Sequence, residues 1–171
     1  MSLPSDIFPA QQTPEALEQA SSLIQRIELE LDEGNSDPPA LQNLQQLTGN
    51  VSLKAEDYFQ ISSAMGYDDA AELAFCPTAR RIENLQFEDF LRLCEIVLQN
   101  TATPQFEYWF EVFCLNANSS NAGDLIFSPP QEWIERLASK GEIASETTRL
   151  TFQPTAKQLA TEAWKSDAIL L

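Results

Sequence analysis

The chain has 171 residues, 43% of them hydrophobic and 9% aromatic, which is enough apolar matter for a packed core and too much for a disordered chain. Twenty-six Asp and Glu against ten Lys and Arg leave a net charge of −16, which repels nucleic acid and anionic membranes and attracts basic proteins. Without histidine there is no Ser-His-Asp or Cys-His catalysis, no histidine-ligated zinc and no use of the commonest general base, and no run of 18 apolar residues offers a membrane span.

In chain order, residues 1–12 read as an extended N-terminal arm, because Pro4 and Pro9 block regular structure. The opening MSLPSDIFPA has no basic region followed by an apolar run, so it does not read as a signal peptide. Residues 13–171 read as a single helical domain. Thr13 caps its first helix, with Pro14 at the first helical position and Leu17, Ala20, Ile24, Ile27 and Leu31 on one face. Glu28, Glu30, Asp32 and Glu33 crowd the C-terminal end of that helix, where the dipole disfavours negative charge; a solvated, frayed end is expected there. Asp37 and Pro38 open a short helix carrying Leu41, Leu44 and Leu47, stopped at Gly49-Asn50. Ser52 starts another, with Ala55, Tyr58, Phe59 and Ser62 facing inward, broken at Gly66. Asp68, Asp69 and Glu72 open the next, which runs to Phe75 and ends at Pro77.

The stretch from Asn84 to Leu115 predicts two antiparallel helices joined by a short turn, and the rest of the chain is expected to pack around them. Phe87, Phe90, Leu91, Cys94, Val97 and Leu98 make the apolar stripe of the first, with Asn100 as its stop. Thr103 and Pro104 open the second, with Phe106, Trp109, Phe110, Phe113 and Cys114 on its inner side. A polar loop, NANSSNAG, leads to an apolar Asp124–Phe127 and a short helix from Gln131. Residues 143–152 have strand propensity at Thr147, Thr148, Leu150 and Phe152 but no evident partner strand. Pro154 opens a last helix, and Leu170-Leu171 suggests a docked C-terminus. Scarce glycine and rare alternating patterns make the fold all-α or helix-dominated: a multi-helix, bundle-like domain, with a minor β element near 143–152 as the one exception considered.

Phosphate-cradling GxxxxGK[ST] and GxGxxG motifs and the DxDxDG calcium loop are absent. Cys76, Cys94 and Cys114 are too scattered for a metal cluster and suit a reducing, cytoplasmic setting. No cofactor or metal is expected. Carboxylates remain, and they define the candidate partner-binding residues: Glu107 and Glu111, one turn apart with Tyr108 beside them; Glu88 and Asp89 in the first turn of the preceding helix; and Asp68, Asp69 and Glu72. Acidic groups with a tyrosine anchor suit a basic protein surface.

The segment FEYWFEVFCLNANSSNAGDLIFSPP, with the closing PTAKQLATEAWKSDAILL, resembles the small acidic immunity proteins that bacteria make against their own secreted toxins. The resemblance runs from Phe106 to the end and implies a non-enzymatic protein that binds a toxin domain, often a basic nuclease, and blocks it. Contact residues vary within such families, so it carries none across. Two other classes stand beside this one: a helical adaptor whose acidity serves solubility only, and a hydrolase working with carboxylates alone.

Overall fold

The computed structural model describes residues 3–165. In chain order the α-helices are α1 Pro14–Asp32, α2 Pro39–Thr48, α3 Ile61–Ala64, α4 Tyr67–Ala74, α5 Phe87–Gln99, α6 Phe106–Asn116, α7 Asp124–Phe127, α8 Gln131–Ser139 and α9 Ala156–Ala163. Single 3-10 turns lie at Ser5–Ile7 and Ala55–Tyr58, and the described residues contain no strand. The helix-dominated class is thus the one formed, and the minor β element considered near 143–152 is not. There the backbone closes into turns, with Thr147 N–H donating to the Ala144 carbonyl and Phe152 N–H to that of Thr148. An isolated segment with no strand to pair with has no ladder to satisfy its amides, so local turns take them. Among the described residues no helix is long and apolar enough to cross a membrane.

Residue contacts divide the chain into two compact units where the sequence reads as one domain. The N-terminal unit holds residues 4–79 and 102–108; the second holds residues 80–101 and those from 109 onward, together with Leu3.

The N-terminal unit is built on α1. Thr13 Oγ1 accepts the Ala16 N–H at 3.2 Å, and Pro14 occupies the first turn as expected. Ala20, Ile24 and Ile27, spaced by four and three residues, are wholly buried, and α2 and α4 pack on them through Ala40 and Leu44 and through Ala70, Ala71 and Ala74. Gly49 closes α2 at φ +71°, a left-handed turn that glycine adopts without strain. Two helix starts differ from expectation. Asp37 does not cap α2: Pro38 and Pro39 in succession move the first helical position to Pro39, and the Asp37 N–H is taken by Asn35 Oδ1 at 3.1 Å. No long helix runs from Ser52 either. Its hydroxyl is held by Asn50 Oδ1 at 2.6 Å and Thr78 Oγ1 at 2.8 Å, and Gln60 at φ +53° splits the stretch into the 3-10 turn and α3. Tyr58 is buried there, but Phe59 is exposed. The N-terminal arm, read as extended, makes a 3-10 turn at Ser5–Ile7 and is anchored: Ile7 is 1% exposed, and its carbonyl accepts the Tyr108 hydroxyl.

The second unit is built on α5. Phe90, Leu93, Cys94 and Val97 are fully buried. The Phe90 ring stacks on Phe113 of α6 at 5.7 Å and lies 4.9 Å from Trp164, just beyond α9. Each such aromatic buried is worth roughly 2–3 kcal/mol. At the end of α6, buried Asn116 accepts the Ile82 N–H at 2.7 Å and donates to the carbonyls of Val112 and Arg80 at 2.7 and 3.1 Å, which pins that end beside the segment that leads into α5. Helix α5 starts at Phe87, after a left-handed Asn84 (φ +54°), and Asn100 ends it by returning its amide group to the Ile96 carbonyl at 2.8 Å, not by turning left-handed. The polar loop after α6 caps the C-terminal end of α9: the Asn118 and Ser119 N–H groups both reach the Ala163 carbonyl, and Asn118 Nδ2 reaches that of Trp164. Phe127, expected inside, is 64% exposed and leans on Phe110 with ring centres 5.2 Å apart. The expected docking of Leu170-Leu171 lies outside the described residues.

Candidate partner-binding surface

The expected contact residues fall on four stretches of chain in two units. Asp68, Asp69 and Glu72 lie on α4 of the N-terminal unit, with Glu107 and Tyr108 from the start of α6; Glu88, Asp89 and Glu111 belong to the second unit. Glu88, Glu107, Glu111, Asp68 and Asp69 are exposed and Glu72 is half-buried. Two positions are corrected. Tyr108 is 6% exposed, with its hydroxyl spent on Ile7, so it is an internal strut and not an interfacial anchor. Asp89 is also 6% exposed: the first turn of α5 turns it in and leaves Glu88 facing out. The inner face of α6 is set by Tyr108, Trp109, Val112 and Phe113, rotated by about one position from the face expected, because a tyrosine with a partner for its hydroxyl buries its ring as readily as phenylalanine does.

The acidic first turn of α4 adds one bond to α1 beyond the alanine packing. Asp68 Oδ1 accepts the Ser21 hydroxyl at 2.9 Å, while Asp69 remains exposed beside it. Lower on α1, Glu28 is buried, not frayed into solvent. Its Oε1 accepts the Ser62 N–H at 3.1 Å and the Ser62 hydroxyl at 2.8 Å; its Oε2 accepts the Tyr67 hydroxyl at 2.6 Å. Burial pushes this carboxyl toward its neutral form, but the bonds from Tyr67 and Ser62 outweigh it and hold the group below its ordinary value of 4.5. The same bond, with the help of burial, raises the Tyr67 phenol. Glu30 pairs with Arg26 at 2.8 Å. Of the four acids at this helix end, Glu28 and Glu30 are therefore structural, and Asp32 and Glu33 stay exposed.

The division into units reveals what residue-by-residue reading missed. The N-terminal unit carries fourteen carboxylates and two cations, a net charge of −12; the second carries twelve and eight, a net charge of −4. Both cations of the N-terminal unit already face a carboxylate, Arg26 with Glu30 and Lys54 with Glu56 at 3.4 Å. Eleven of its fourteen acids are exposed, so the charge lies on its surface. A running sum of charge along the sequence carries this signal, since residues 1–79 hold only Arg26 and Lys54 as cations.

No protein family, characterised protein or solved structure matches this chain. Its own chemistry is what speaks for the surface. The thiols add little to that chemistry: burial, with Glu72 nearby, pushes Cys76 up to about 12, and burial likewise raises Cys94 and half-buried Cys114. Among the described residues no group of three or more Cys, Asp or Glu is arranged to hold a metal ion.

Proposed function

We propose that this chain is a binding protein that occludes a basic protein partner, and that the partner is a toxin domain of nuclease type, as for the immunity proteins that its C-terminal part resembles. The observation that carries the reading is the charge of −12 on the N-terminal unit, whose two cations are both already paired. Surplus charge of that density raises the encounter rate with a cationic protein and disfavours acidic competitors. Contact is assigned to the exposed acids of α1, α4 and the start of α6, with Asp32, Glu33, Asp68, Asp69 and Glu107 foremost and the exposed apolar Leu29 as a contact among them. Glu88 and Glu111, on the second unit, add to the net attraction without a contact assigned to them.

The test is kinetic. With a captured partner in hand, the association rate constant should fall about tenfold or more between low and physiological salt, with dissociation changing less. A rate indifferent to salt would favour the adaptor reading, in which the acidity keeps the chain soluble and contributes nothing to recognition.

A further inference from the structure

Against the acidity of the whole chain, one region runs the other way. Arg136, Lys140, Lys157 and Lys165, four of its ten cations, line a single cavity of about 540 Å³ between α8 and α9 in the second unit. The volume lies in the range of small-molecule sites. Two carboxylates, Glu142 and Glu162, share the lining, which leaves it two positive charges in surplus.

The cations are not equivalent. Arg136 Nη2 donates to Glu162 Oε1 at 2.5 Å, and Lys165 Nζ donates to Glu162 Oε2. Burial opposes the charged form of Glu162, but the hydrogen bonds and charges of Lys165 and Arg136 overcome it and keep the carboxyl below its ordinary value. Glu162 thus holds two of the four cations in place. Lys140 and Lys157 have no carboxylate partner among the described residues, although acids outnumber bases 26 to ten in the chain. Lys140 follows Arg136 by one turn at the end of α8, so both project from one side. Lys157 stands in the first turn of α9, and with Thr155 and Gln158 it brings the positive end of that helix to the cavity wall. Trp133 and Leu137, both buried, supply an apolar part to the lining.

We infer that this cavity binds a small phosphomonoester, its phosphate held between the Lys140 and Lys157 ammonium groups at the start of α9 and its organic part toward Trp133. A phosphate carries between about one and a half and two negative charges at neutral pH and so matches the surplus of two. The inference is independent of the proposed partner, because the cavity lies wholly within the second unit and shares no residue with the acidic surface of the first.

Isothermal titration of the full chain with phenyl phosphate tests it. Lys140→Gln with Lys157→Gln should weaken binding about tenfold or more, the scale of losing charge-assisted hydrogen bonds. Lys54→Gln, an exposed lysine of the other unit, should leave it unchanged. Glu162→Gln should tighten binding severalfold, since it releases Arg136 and Lys165 to the ligand, and this gain cannot come from general destabilisation. Absence of binding at millimolar phenyl phosphate, or equal affinity across all the variants, would overturn the inference.

Discussion

Glu28 shows how one residue can leave the surface and join the architecture. It sits among the acids at the end of α1, yet three hydrogen bonds from Ser62 and Tyr67 draw it inside. Because its folded pKa lies below its ordinary value, it contributes stability above about pH 4.5 that is lost as pH falls through the folded value. Urea midpoints measured from pH 7 to pH 3 should therefore fall more steeply for the wild type than for Glu28→Gln. At pH 7 the substitution should cost about 1.5–3 kcal/mol, the worth of hydrogen bonds to a charged group. Asn116 is the neutral counterpart: Asn116→Ala removes three bonds from a buried site and should cost about 2–3 kcal/mol by urea unfolding.

At the scale of elements, α9 depends on its ends. Thr155 and Gln158 form a reciprocal cap, with Thr155 Oγ1 accepting the Gln158 N–H at 3.2 Å and Gln158 Oε1 accepting the Thr155 N–H at 3.0 Å. Thr155→Ala should lower stability by about 1 kcal/mol, and Asn118→Ala at the opposite end by a similar amount, read as a drop in thermal midpoint by circular dichroism. The first of these ends is a local feature of the sequence, and the second is not. A cap within three residues of its helix, such as Thr13, is local and can be read directly, as can the stripes of α1 and α5; at α9 the proline draws the expected start to Pro154, whereas Thr155 is the cap and the helix begins at Ala156. Asn118 acts on residues 45 and 46 positions away, and no local pattern announces that. The second core, around α1, is hidden for a related reason: its stripe is evident, but the alanines of α4 that let it pack closely look unremarkable beside the aromatics of α5 and α6. Of the candidate surface, Glu107, Asp68 and Asp69 are legible as exposed acids. Tyr108 and Asp89 are not legible as buried, because their burial depends on the rotation of a helix about its axis, and apolar spacing fixes that only to within about a residue.

At the scale of the molecule, the distribution of charge is the principal result. The division into −12 and −4 is nearly complete in the linear order of the chain, since residues 4–79 hold thirteen of the fourteen acids and both cations, and the fold adds only Glu107 from residues 102–108. A chain that used acidity for solubility alone would gain as much from an even coat. Recruitment of a cationic protein by the N-terminal unit is measured by comparative affinity capture from the cell of origin. Three baits are compared: the wild type; a variant with Glu18, Glu33, Asp69 and Glu107 neutralised; and a variant with Glu83, Glu88, Glu95 and Glu132 neutralised, all eight being exposed. A strongly basic protein should be retained by the first and third baits and lost by the second. Recovery of the same partner by all three, or of partners with no excess of positive charge, would contradict it.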